Sequence, residues 1–245
     1  MQAHDTIDFR KQALFLDFDG TLVDFADDPM AVAIRPATFA SLRILQDRLD
    51  GALAIVSGRR IADLDHFLAP WTFSAAGVHG LELRQAPGSQ VRRVARPEDL
   101  EPVRIALAAG VATEGRLRLE DKGTALVLHY RGAPELAGSA SRLMEDAVAG
   151  LDGLKVMAGN NIVEVHPAGM DKGEALAALM ASAPFAGRVP IYAGDDTTDE
   201  FAFRALARWN GIGIKVGEGQ TAATRRLRDV AAVERWLNEE AARQA

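Results

Sequence analysis

The sequence contains no cysteine. That absence excludes disulfides, zinc-thiolate sites and thiol nucleophiles together, and it fits a reducing compartment. No apolar run approaches the length of a membrane span, and Met1 to Gln12 holds nothing that reads as a secretory leader. Positive charge is short as well. Against 34 Asp and Glu stand 28 Lys and Arg, a formal net charge of -6, which argues against a chain built to bind nucleic acid. It leaves phosphorylated small molecules open, because a local basic cluster or a metal ion can supply the missing charge. With aromatics at 6%, the three tryptophans Trp71, Trp209 and Trp236 read as packing residues rather than a platform for a sugar. What remains is 48% hydrophobic, enough to build a core without staples. The expectation is a cytoplasmic protein with no membrane and no nucleic-acid partner; the sequence does not give its oligomeric state, with a monomer favoured.

The most informative stretch is Ala13-Leu14-Phe15-Leu16-Asp17-Phe18-Asp19-Gly20-Thr21-Leu22. An uncharged run of bulky residues reads as a strand buried on both faces, and it stops at two carboxylates. In open α/β sheets the carboxyl ends of strands form the ligand-binding edge. Asp17 and Asp19 are two residues apart, so an extended backbone directs both side chains the same way. Paired anions repel unless a positive charge lies between them, and a divalent cation prefers such oxygen ligands. Asp-Gly alone is an ordinary turn dipeptide, so the stretch needs support from elsewhere.

That support comes late in the chain. Val189 to Ala193 is a second short apolar run, ending in Gly194-Asp195-Asp196-Thr197-Thr198-Asp199-Glu200. Between the two acidic clusters, Gly51 to Val56 reads as a buried strand ending in Ser57-Gly58-Arg59. A hydroxyl and free backbone N–H groups at that position suit phosphate oxygens. Helices are expected from Pro36, over Ile61 to Leu68, from Asp171-Lys172-Gly173, from Asp199 and over Val230 to Ala242. Lys172 falls at a helix start, where backbone N–H groups and an ammonium both favour an anion. Asp27-Asp28-Pro29 lies in an acidic loop, and Arg225, Arg226 and Arg228 read as a solvated basic face.

From about residue 84 to 166 the texture changes. Short strands joined by tight turns, such as Asp121-Lys122-Gly123 and Gly159-Asn160-Asn161, imply antiparallel pairing, with two helices among them. The predicted architecture is a doubly wound, Rossmann-like parallel sheet formed by residues 1–83 and 167–245, interrupted by an α+β insert at 84–166.

These residues together resemble the haloacid dehalogenase superfamily of phosphatases. The resemblance rests on Asp17-x-Asp19-Gly-Thr21, Ser57, Lys172, and Gly194-Asp195-Asp196 with Asp199, and the insert is similar to a C2-type cap. Within the superfamily the chain resembles the trehalose-6-phosphate phosphatases, through Ser57-Gly58-Arg59, Gly77-Val78-His79-Gly80, Glu120-Asp121-Lys122, His129-Tyr130-Arg131, Val163 to Pro167 and Gly194 to Glu200. The resemblance implies a Mg2+-dependent hydrolysis of trehalose 6-phosphate. It makes Asp17 the nucleophile and Asp19 the general acid and base. The metal ligands become Asp17, the Asp19 carbonyl and Asp195, with Asp196 and Asp199 in support. Ser57, Gly58 and Lys172 hold the phosphoryl group. Glu120, Lys122, Arg131 and Glu164 contact the sugar, and Arg59 and His79 assist. Sucrose-phosphate and mannosyl-phosphoglycerate phosphatases, phosphomannomutases and a catalytically silent sugar-phosphate sensor are the alternatives.

Overall fold

A computed structural model describes residues 6–26, 28–94, 97–159 and 161–243. Asp27 and Asn160, assigned above to an acidic loop and a turn, lie outside them. The chain divides into two compact units, one formed by Met1–Arg92 with Asp171–Ala245 and the other by Arg93–Met170.

The first unit begins with β1 (Gln12–Leu16), followed by α1 (Pro36–Arg48) and β2 (Leu53–Val56). Pro36 sits in the first turn of α1, where its missing N–H removes a donor that would have had no partner. Gly51, at φ +82°, makes the left-handed turn that sends the chain from α1 into β2. Next come α2 (Ile61–Leu68), β3 (Ser74–Gly77), β4 (Glu82–Arg84) and the two-residue β5 (Arg92–Arg93). The start of α2 has no side-chain cap of its own. Instead the buried Glu82 carboxylate on β4 accepts from Ile61 N at 2.8 Å.

The second unit contains α3 (Glu101–Glu114), β6 (Arg118–Asp121), β7 (Leu126–His129), α4 (Ala137–Val148), β8 (Leu154–Gly159) and β9 (Ile162–Pro167). Its strands form an antiparallel sheet in the order β6-β7-β9-β8. One row of that sheet, Leu119, Leu128 and Val163, packs with α3 and α4 residues such as Leu107 and Met144 into a separate hydrophobic core. The neighbouring row, Glu120, Val127 and Glu164, faces the other way because side chains alternate along a strand.

The first unit resumes with α5 (Lys172–Met180), β10 (Val189–Gly194), α6 (Asp199–Ala205), β11 (Ile212–Val216), β12 (Arg225–Leu227) and α7 (Val230–Ala242). Its sheet has the order β12-β11-β10-β1-β2-β3-β4-β5. All pairings from β12 to β3 are parallel, as the sequence predicts, and β4 runs antiparallel to β3. β1 is the central strand, with Leu14 opposite Ile191 on one side and Leu53 on the other. Every side chain from Ala13 to Leu16 is fully buried, which is why the run carries no charge. The winding reverses between β1 and β10, and that switch point is where a doubly wound sheet opens a ligand-binding crevice. The sequence reading gave Arg225–Leu227 no strand, yet it forms an edge strand on β11; Arg226 and Arg228 are exposed, as expected of a solvated basic face, and Arg226 donates to the Gly217 and Gly219 carbonyls. Among the described residues no helix is long and apolar enough to cross a membrane.

Candidate active site

Asp17 follows β1 directly, and its N–H donates to the Ala193 carbonyl of β10 at 2.9 Å. This bond carries the sheet ladder one residue past the strand end and sets Asp17 beside the turn that begins at Gly194. Lys172, the first residue of α5, reaches into the same place. Its Nζ lies 2.8 Å from Asp17 Oδ1 and 2.7 Å from Asp199 Oδ1, and all three residues are buried. The helix start behind it is fixed by Asp171, whose carboxylate accepts from the N–H groups of Gly173 and Glu174. Burial alone would push the Lys172 ammonium down, but the Asp17 and Asp199 charges overcome that and push it up.

Carboxylate oxygens of Asp17, Asp195 and Asp199 lie within 4.8 Å of one another. They are not equivalent. Asp199 is fully engaged: Oδ1 accepts from Lys172 Nζ and from Tyr192 OH, each at 2.7 Å, and Oδ2 accepts from Asp196 N at 2.9 Å. Asp195, by contrast, has a buried Oδ1 with no hydrogen-bond partner. Burial and the Asp199 charge push its carboxyl up to about 7, and the same two causes raise Asp17 well above the ordinary carboxylate range. Crowded, desolvated anions with an orphaned oxygen form a site in want of positive charge, and a hard divalent cation with oxygen ligands fits it. Two glycines make the crowding possible. A Cβ on Gly20, which has φ +73°, would come within 2.7 Å of Asp195 Oδ1, and one on Gly194 within 2.6 Å of both Asp199 oxygens. Asp196 is not one of this group of three, and its Oδ1 accepts from Thr197 N at 2.7 Å.

Asp19 takes a separate partner. Arg59 grips it as a fork, with Nε 2.7 Å from Oδ2 and Nη2 2.7 Å from Oδ1. The remaining nitrogen, Nη1, donates to the Pro29 carbonyl at 2.7 Å. The guanidinium lies 5.6 Å from the Phe18 ring centre and 4.9 Å from that of Phe67, so aromatic faces hold its plane.

Ser57 is buried at the end of β2, and its Oγ accepts from Arg59 N at 3.1 Å. The loop it begins is braced from β3. Val78 N donates to Arg59 O at 2.9 Å and His79 N donates to Ser57 O at 3.1 Å. A Cβ on Gly58 would fall 2.7 Å from His79 Nε2, so the imidazole packs directly on that glycine. The bracing turn is strained, with Val78 at φ 46° and His79 at φ 53°. A β-branched residue in the left-handed region is an outlier of the kind that clusters at functional sites.

In the second unit, Lys122 Nζ lies 3.2 Å from Glu164 Oε2, with both side chains largely buried. Glu120 Oε2 is 2.7 Å from His129 Nε2. Burial raises the Glu120 carboxyl, yet the His129 hydrogen bond and the Lys122 charge outweigh it and leave the group lower than usual. Glu120, Lys122 and Glu164 thus form one electrostatic group, whereas Arg131 stands exposed in the turn after β7. The sequence reading missed the Tyr192 hydroxyl on Asp199. The signal available was a single polar-tipped aromatic inside an otherwise purely apolar strand. It also named His129 without foreseeing its bond to Glu120.

Comparison with known proteins gives a consistent picture. The family described as trehalose-phosphatase matches residues 15–231. A probable trehalose-phosphate phosphatase of Sinorhizobium fredii is 43% identical over 212 residues, covering 86% of this chain and 79% of that protein. The trehalose-6-phosphate phosphatase of Escherichia coli is 38% identical over 228 residues, covering 93% and 85%. Among solved structures, a trehalose-6-phosphate phosphatase related protein superposes with a TM-score of 0.77 at 27% identity, covering 93% of this chain and 96% of that one.

Proposed function

The chain belongs to the trehalose-phosphatase family, and from that membership we propose that it hydrolyses trehalose 6-phosphate to trehalose and inorganic phosphate, with Mg2+ as its cation. The observation that carries the reading is the convergence of Asp17, Asp195, Asp199 and Lys172 at the switch point of the sheet.

Asp17 is the nucleophile. A carboxylate oxygen attacks phosphorus, the bond from phosphorus to the sugar oxygen breaks, and an aspartyl-phosphate forms. Asp19 delivers a proton to the departing sugar oxygen and then takes one from the water that attacks the intermediate, releasing phosphate and restoring Asp17. Lys172 and the Ser57–Gly58 loop hold the phosphoryl oxygens, so that charge moving onto them meets groups already in place. Asp17, the Asp19 carbonyl and Asp195 would hold the cation, which when bound offsets the charge that builds on the phosphoryl group. Asp199 acts indirectly, fixing Lys172 through its fully satisfied carboxylate. Glu120, Lys122 and Glu164 select the sugar, because a buried hydrogen-bonding group left without its hydroxyl discriminates strongly. The unit that carries them is a C2-type cap in this reading.

The test is a phosphate-release screen over sugar phosphates with and without Mg2+, with Asp17→Asn as the control. Turnover of trehalose 6-phosphate above other sugar phosphates, requiring the cation and absent in Asp17→Asn, is the expected result. Comparable turnover of sucrose phosphate would overturn the substrate, and an active Asp17→Asn would overturn the nucleophile.

A further inference from the structure

Lys215 lies on β11, opposite Gly194 of β10, one residue before the candidate cation ligand Asp195. Lysine is among the residues least often buried, yet Lys215 is only 6% exposed. Among the described residues no carboxylate pairs with it. Its Nζ donates instead to the main-chain carbonyl of Asp195 and, at 3.1 Å, to that of Val216. Together with Gly20 and Asp195 it lines a cavity of about 340 Å³.

A desolvated ammonium without a counter-ion is costly, so the placement calls for a return. The contrast between Asp195 and Asp199 supplies one. Asp199 is oriented through its side chain, by Lys172, Tyr192 and the Asp196 N–H. Asp195 differs in that its buried Oδ1 is unpartnered, which leaves that oxygen to a cation. Its placement is then set in part from the backbone. Two contacts do so: the absent Cβ of Gly20, which leaves room for the carboxylate, and the Lys215 ammonium on the Asp195 carbonyl.

We propose that Lys215 is a positioning residue for the cation site, holding the Asp195 peptide so that its free carboxylate oxygen stays aimed at the metal. The inference rests on the reading of Asp195 as a cation ligand. Outer partners of this kind change metal affinity by about 10–100-fold when removed.

The experiment is direct binding of Mn2+ to the full chain stripped of metal, by calorimetry or by loss of the free-ion paramagnetic signal, alongside thermal melting without metal. Wild type is expected to bind one Mn2+, and Lys215→Met to bind it about 10–100-fold more weakly while remaining folded. A folded Lys215→Met with wild-type affinity overturns the proposal and leaves the cation site standing. If Lys215→Met does not fold, Lys215→Arg carries the test. There the donors are kept on a longer arm, so a weakened Mn2+ affinity with unchanged melting supports positioning and an unchanged affinity overturns it. If both variants unfold, Lys215 is a core residue and the proposal falls. No Mn2+ binding by wild type overturns the cation reading and this inference with it.

Discussion

Arg59 holds both carboxylate oxygens of Asp19 at 2.7 Å and, through its remaining nitrogen, the carbonyl of Pro29. The residue assigned to proton transfer is thus tied by one guanidinium to the loop after β1.

The first prediction concerns that fork. Asp19→Asn should cost about 10²–10⁴-fold on a sugar phosphate and much less on p-nitrophenyl phosphate, whose leaving group needs no proton. Arg59→Met should follow the same pattern at smaller amplitude, about 10–100-fold, the value of a charge-assisted pair. Arg59→Lys should not restore it, since an ammonium cannot reproduce a planar two-pronged contact. Steady-state kinetics on both substrates would decide. Equal losses on the two would mean that Arg59 serves the loop rather than Asp19.

A second prediction follows from the crowding at Gly20. Gly20→Ala introduces a Cβ within 2.7 Å of Asp195 Oδ1 at a backbone φ of +73°. Strain of that kind costs about 1–3 kcal/mol, and Asp195 must move to make room. A lowered melting temperature together with weaker Mn2+ binding is expected. Unchanged Mn2+ affinity would show that Asp195 does not need this approach to bind the ion.

The third prediction is a pH dependence. Burial and the neighbouring Asp199 raise the Asp195 carboxyl from 3.8 to about 7 in the folded chain, and Asp17 moves the same way. Between those values the folded state binds more protons than the unfolded state. The contribution to stability is therefore full below about 3.8 and is lost as pH rises through about 7. In chelator, the melting temperature should fall on going from mildly acidic to mildly alkaline solution. Excess Mg2+ should flatten or reverse that slope, because the ion favours the ionised carboxylates and releases protons on binding. A melting curve in chelator that rises over this window would contradict the assignment.

The fourth prediction lies in the second unit. Glu164→Ala removes the partner of Lys122, 3.2 Å away and largely buried with it. Breaking a buried pair destabilises by about 3–5 kcal/mol, so the unit's melting must be followed with the kinetics. Trehalose 6-phosphate turnover should fall far more than that of p-nitrophenyl phosphate. If both fall alike in folded protein, Glu164 is structural.

The strands that carry the chemistry were legible because β1, β2 and β10 are buried on both faces and therefore lack charge. Asp17 and Asp195 stand out as the first carboxylates after such runs. Other features leave no comparable trace. β12 is three residues long, carries two arginines and sits at a sheet edge, so neither length nor periodicity reveals it. The Arg59 fork depends on the distance between the ends of neighbouring strands. Val78 is a β-branched residue in a conformation its type disfavours, and propensity points the other way. Lys215 is hardest to read, because its target is a main-chain carbonyl and no complementary side chain marks the pairing. The change from parallel crossovers to hairpins locates the second unit, but Gln85, which donates to the Leu179 carbonyl at 2.9 Å, looks like any polar loop residue.

The order of strands bears on synthesis as well as on chemistry. β1 can pair with β2 as soon as that strand is made, but its other neighbour, β10, is made only after the whole second unit. Domains form from the N-terminus as the chain emerges, and contacts distant in sequence come late. Until β10 and the turn after it are made, Asp17 has neither the Ala193 carbonyl for its N–H nor Asp195 and Asp199 beside it. A chain broken before Gly194 therefore lacks two of the three carboxylates that converge at the site.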